Sequence, residues 1–79
     1  MPNFTLILEF RGGTYIRQVR AASPQGALRK VASSTDAKTE VFRALAHEKV
    51  IAIDGIANCW CLCATHRGKF ALLNIVETA

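Results

Sequence analysis

Phe4-Thr5-Leu6-Ile7-Leu8-Glu9-Phe10 alternates well enough to predict a strand with Phe4, Leu6, Leu8 and Phe10 on one face. Gly12-Gly13 follows, and a glycine pair suits the positive φ angles of a two-residue hairpin turn. A second strand, Thr14 to Ala22, is expected to return beside the first. With the two glycines as the turn, Arg11 faces Thr14, Phe10 faces Tyr15, Leu8 faces Arg17, Leu6 faces Val19 and Phe4 faces Ala21. This register gathers Phe4, Leu6, Leu8, Phe10, Tyr15, Val19 and Ala21 on an apolar face. Thr5, Glu9, Arg11, Thr14, Gln18 and Arg20 fall on the other, with Ile7 and Ile16 among them. A one-residue slip would mix the two sets. Arg17 is the one charge on the apolar face; its stem is expected to cover Leu8 while its head reaches water.

The period then changes. Ser23-Pro24 is a helix start, serine capping free amides and proline occupying the first turn. Ala27, Leu28, Val31 and Ala32 recur at helical spacing, with Arg29 and Lys30 opposite. Ser33-Ser34-Thr35-Asp36 is a polar break. From about Lys38 to Glu48 a second helical pattern places Val41, Phe42 and Leu45 on one side, although Thr39, Val41 and Phe42 would also suit a strand. Val50-Ile51-Ala52-Ile53 is a short apolar stretch stopped by the turn signal Asp54-Gly55. Ala57 to Thr65 and Phe70 to Glu77 read as strands joined through His66-Arg67-Gly68-Lys69. The pattern predicts one α+β domain over residues 1–79: two antiparallel β-hairpins in ββαββ order, with residues 38–48 as a second helix before the third strand if they take that form. The hairpins are expected to share one sheet, with the helical layer on a single face.

The last hairpin is apolar on both sides. With Arg67-Gly68 as its turn, Thr65 pairs with Phe70, Cys63 with Leu72, Cys61 with Asn74 and Cys59 with Val76. The opposite face carries Ala64 with Ala71, Leu62 with Leu73 and Trp60 with Ile75. An antiparallel strand with one solvated face should alternate apolar and polar residues, as the first hairpin does. One face can take the helices, and a chain of 79 residues has few elements left for the other. Trp60, Leu62, Leu73 and Ile75 are therefore expected to form an interface with a second copy of the chain, a homodimer or a higher homo-oligomer. The competing expectation is that the 50–53 segment or the second helix folds over them.

Composition narrows the chemistry. Hydrophobic residues at 51% and charged residues at 20% place the chain among globular proteins. The N-terminus has no basic region and cleavage site of a secretory signal, and no apolar run reaches the roughly 18 residues that span a bilayer. A cytoplasmic protein without a membrane partner is expected. The three cysteines, Cys59, Cys61 and Cys63, are odd in number and confined to one strand, which disfavours a disulfide scaffold. Alternate residues of a strand lie about 6.5 to 7 Å apart. Thiolates sharing one zinc lie about 3.8 Å apart, from Zn–S bonds near 2.3 Å. Three thiols on a regular strand therefore cannot ligate one ion, and neither a metal site nor a cofactor is expected; the cysteines read as small buried apolar residues.

An enzyme would have to draw on His47, His66, Asp54, Ser33, Ser34 or a cysteine. No nucleophile elbow, paired-histidine metal motif or phosphate loop frames any of them, so no catalytic residue is assigned. The net charge of +4 is scattered, yet Arg11, Gln18 and Arg20 share the polar face of the first hairpin. Those three are the candidate contacts of the alternative reading, a regulator associated with nucleic acid. The run GGTYIRQVRAASPQGALRKVA loosely resembles the hairpin-then-helix segment of HicB-type antitoxin domains, in which Gly-Gly-Tyr opens a strand and a capped helix carries an Ala-Leu pair. The resemblance covers about a quarter of the chain and lacks that family's extra strand with a Pro-Gly turn, so no functional residue is carried over from it. The first expectation remains a small non-catalytic homo-oligomeric binding protein.

Overall fold

A computed structural model of the chain describes residues 1–34 and 39–78. Five strands form one sheet: β1 (Asn3–Phe10), β2 (Gly13–Arg20), β3 (Ile51–Ala52), β4 (Cys59–His66) and β5 (Lys69–Thr78). Two helices, α1 (Pro24–Ala32) and α2 (Thr39–Ala46), lie between β2 and β3 in the chain. The strand order is β2-β1-β5-β4-β3, with every neighbouring pair antiparallel. The first and last long strands therefore meet at the centre of the sheet. The short apolar stretch after α2 becomes β3, a two-residue edge strand on β4. The α+β class and the broad order of elements are as the sequence predicted.

Both hairpins turn on an Arg-Gly pair. Arg11 and Gly12 have φ of 53° and 78°, and Arg67 and Gly68 have φ of 52° and 76°. Positive φ at both central residues is the type I′ geometry, whose twist matches that of paired strands. The second hairpin keeps its predicted register, Cys63 facing Leu72 and Cys61 facing Asn74. The first does not: Phe10 faces Gly13, Leu8 faces Tyr15, Leu6 faces Arg17 and Phe4 faces Val19. The turn is Arg11-Gly12 rather than Gly12-Gly13, which moves the pairing by two residues and so leaves every side chain on its expected face. Gly13 opens β2 instead. A Cβ there would lie 2.6 Å from Tyr15 Oη, so the missing side chain makes room for the Tyr15 ring.

Helix α1 starts as its sequence dictates, Gly26 N donating to Ser23 Oγ at 3.0 Å with Pro24 in the first turn. Residues Thr39–Ala46 are helical, which resolves the choice between helix and strand. The predicted break at 33–36 lies in part, and the predicted helix start at Lys38 wholly, outside the described residues. Both helices pack on the same side of the sheet. The cluster they close comprises Phe4, Leu6, Leu8 and Phe10 of β1, Ala71, Leu73 and Ile75 of β5, Leu62 of β4, Ala27, Leu28, Val31 and Ala32 of α1, and Val41, Phe42 and Leu45 of α2. Arg17 points into this layer. Its guanidinium lies 6.0 Å from the Phe42 ring and donates to the Ile16 carbonyl at 2.9 Å, so the apolar stem is covered and the charge still has an acceptor.

Candidate functional site: the open face of the sheet

The pairing of β1 with β5 decides which side of the last hairpin meets the helices. Leu6 faces Ile75 and Leu8 faces Leu73, so the apolar side of the first hairpin continues into Leu73, Ile75 and Leu62. Leu73 and Ile75 are 0% exposed and Leu62 is 5% exposed. Trp60 packs on the same cluster, its ring 5.9 Å from that of Phe4. Of the four residues expected to meet a second copy, Leu62, Leu73 and Ile75 are thus buried in the chain's own core and Trp60 is half-buried against it. The hairpin is apolar on both sides as expected, but the face expected to be open is the one that meets the core, because the parity of a pairing between distant strands is not a local property.

The side away from both described helices holds the other set. The middle row crosses all five strands as Ile16, Ile7, Asn74, Cys61 and Ile51. One row toward the N-terminal end of β1 come Gln18, Thr5, Val76 and Cys59; one row the other way come Thr14, Glu9, Leu72 and Cys63. Phe70 and Thr65 follow at the edge. Ile16, Ile51 and Phe70 are 57%, 58% and 63% exposed, and each lies on this side of the sheet. The polar groups of the face pair among themselves: Gln18 Nε2 donates to Thr5 Oγ1 at 3.0 Å, the Thr5 and Thr78 hydroxyls lie 3.2 Å apart, and Thr14 Oγ1 donates to Glu9 at 3.4 Å. Glu9, Thr14 and Gln18 stay exposed, and beside them runs an apolar band, deepened by a shallow hollow of about 330 Å³ lined by Ile51, Cys61, Leu62, Cys63 and Leu72 with Glu48 and Lys49. Ile7 and Ile16, standing among polar residues on the same face of the first hairpin, were the signal for this band.

The cysteines belong to it. Cys59, Cys61 and Cys63 are free thiols in a row on the open face, Cys63 exposed and the other two half-buried. They are not the core residues the sequence suggested. Among the described residues no group of three or more His, Cys, Asp or Glu side chains is placed to hold a metal ion.

The enzyme candidates are dispersed. His47 is exposed just beyond α2, and Asp54 is exposed in the β3–β4 loop. Ser33 ends α1 and donates its hydroxyl to the Lys30 carbonyl at 2.8 Å. His66 ends β4, with its ring 6.0 Å from Phe10 and Nε2 3.8 Å from Glu40. At about 3.3 Å per residue, the length of β4 separates His66 from the loop that holds Asp54 by about 23 Å.

The candidate nucleic-acid contacts are also spread out. Gln18 and Arg20 lie on the open face of β2, whereas Arg11 belongs to the turn at the far end of that strand. The structure instead gathers Arg11 with Arg67, Lys69 and His66, where the two Arg-Gly turns sit side by side around a cleft of about 190 Å³. Glu40 faces the same cleft, 3.4 Å from Arg67. Among the described residues no helix is long and apolar enough to cross a membrane. Comparison with protein-family models, with curated proteins and with solved structures gave no match.

Proposed function

We propose that the chain is a small non-catalytic association module, and that two copies meet face to face across the open side of the sheet. The supporting observation is the row Ile16, Ile7, Asn74, Cys61 and Ile51, apolar apart from Asn74 and flanked by Leu72 and Val76, on a side that neither described helix covers. A second copy fits in size. Four long strands about 4.8 Å apart, each of about eight residues at 3.3 Å, present a face of about 19 by 26 Å, or about 500 Å² per copy. Two copies then bury about 1,000 Å², the lower threshold for a biological interface, and β3 adds to it. Two such sheets would pack about 10 Å apart with their strands close to aligned.

Sedimentation velocity tests the proposal. The native chain is expected to be dimeric at about 500 μM, and Ile7→Lys, which sets a charge in the middle of the band, is expected to be monomeric and folded. A native monomer at that concentration would refute it.

A second reading is favoured by the cations around the turn-end cleft. Among the described residues, Arg11, Arg67 and Lys69 line this cleft with the carboxylate of Glu40, a positive corner suited to phosphate groups. Binding to a labelled oligonucleotide that weakens steeply between about 50 and 200 mM salt, and is lost in Arg11→Ala with Lys69→Ala, would support this reading; affinity indifferent to salt would remove it.

A further inference from the structure

A sheet in the order β2-β1-β5-β4-β3 has two edges, and here they differ. β3 is two residues long, which leaves little for another strand to pair with. β2 runs eight residues, and among the described strands only β1 pairs with it. Its outer edge is a row of backbone donors and acceptors of the kind that takes up an extended strand from another chain. We propose that Arg17 and Lys30 guard this edge: they occupy outward carbonyls of β2 and keep it from accepting a further strand.

Which carbonyls point outward follows from the turn. In a two-residue hairpin the residues flanking the turn exchange both backbone bonds. Along the antiparallel pair such residues alternate with ones whose N–H and C=O face away. Phe10 and Gly13 flank the Arg11-Gly12 turn, so Gly13, Tyr15, Arg17 and Val19 bond to β1, while Thr14, Ile16, Gln18 and Arg20 turn their backbone groups outward. Just beyond the strand, Ala21 N donates to the Pro2 carbonyl at 3.1 Å, which fits the same alternation.

Two of the four outward carbonyls are taken by cations of the chain itself. Arg17 Nη1 donates to the Ile16 carbonyl at 2.9 Å, and Lys30 Nζ donates to the Arg20 carbonyl at 3.0 Å. Both cations are anchored in the helical layer. The Arg17 guanidinium lies 6.0 Å from the Phe42 ring of α2, and Lys30 stands on α1. An incoming strand would have to break both charge-assisted bonds and cover two cations with backbone, away from water. The helices thus close the edge of the sheet as well as one face. This edge is separate from the open face, so the guard and the face-to-face dimer stand or fall apart.

Sedimentation velocity and thioflavin fluorescence test the guard, with circular dichroism to check that each variant is folded. Arg17→Met with Lys30→Met keeps two long apolar stems and removes both donors. It is expected to form growing, dye-positive assemblies at a concentration at least about tenfold below any at which the native chain does. Arg29→Met with Lys69→Met loses the same charge away from this edge and is expected to behave as the native chain does. Lys30→Met alone, at an exposed position of α1, is expected to fall between the native chain and the double variant, and it carries the test if Arg17→Met disturbs the packing on Phe42. Adding Gln18→Pro to the double variant removes an outward N–H, which an edge strand tolerates, and is expected to abolish the assemblies. Loss of the guard without assembly beyond that of the Arg29 and Lys69 control would overturn the proposal. So would assemblies that persist with Gln18→Pro.

Discussion

Leu72 and Leu73 are adjacent, chemically identical and on opposite sides of the sheet, so truncating each in turn separates folding from association. Leu73 is 0% exposed beneath the helices and faces Leu8 and Leu62, both buried. Leu→Ala at such a site removes the transfer free energy of the lost carbons and leaves a cavity, a cost of about 2.7 to 5 kcal/mol. At about 0.05 to 0.15 kcal/mol per residue, a chain of 79 residues has about 4 to 12 kcal/mol of net stability, so Leu73→Ala removes a large part of it. Leu72 is half-buried on the open face. Within one copy its truncation leaves no enclosed cavity, and the cost is expected to be about 1 kcal/mol or less. In the dimer that side chain is covered, and its loss is expected to weaken association by about tenfold. Urea unfolding at about 2 and 200 μM distinguishes the two effects, because a dimer is stabilised by mass action and a monomer is not. Leu73→Ala should lower the midpoint strongly at both concentrations and keep the native chain's concentration dependence. Leu72→Ala should lie within about 1 kcal/mol of the native chain at the low concentration and fall further behind it at the high one. Equal losses independent of concentration would refute the assignment of the two faces.

The remaining predictions concern the ends of elements and the thiols. Ser23→Ala removes the acceptor for Gly26 N and should cost about 1 kcal/mol in chemical denaturation, with Ser23→Gly costing only a few tenths. Gly68→Ala, at φ of 76°, should destabilise by about 1 kcal/mol, whereas Arg67→Asn should be neutral or slightly stabilising because Asn-Gly suits the same turn. A thiol reagent of Ellman type should label Cys63 in the folded chain, and labelling should slow as protein concentration rises through the dimer range. Labelling that requires unfolding would place the cysteines in the core and contradict the described sheet.

Much of the fold was legible because it rests on local physics. The serine-proline start of α1, its stripe of Ala27, Leu28, Val31 and Ala32, and the pairing of Cys63 with Leu72 about an Arg-Gly turn each depend on residues close in the chain. The first hairpin shows how local rules can still be misapplied. Gly12-Gly13 looked like the better turn, yet Arg11 adopts the left-handed conformation and Gly13 is taken up by the Tyr15 ring. Alternation absorbed that two-residue error, since faces depend only on parity.

The sequence by itself determined α1, the long strands, the turn of the second hairpin, and the fact that this hairpin is apolar on both sides; the turn of the first hairpin and the helical form of Thr39–Ala46 came only with the structure. Only the tertiary structure decided which apolar surface stays open. That choice is made where Leu8 meets Leu73, between strands from opposite ends of the chain, and a slip of one residue there would place Cys63, Leu72 and Val76 beneath the helices and Trp60 outside. Side-chain volume is the physical reason the observed parity suits the core. Trp60, Leu62, Leu73 and Ile75 pack on the cluster that contains Phe4 and the helices, whereas the other face offers Leu72 and Val76 with three small thiols and an amide.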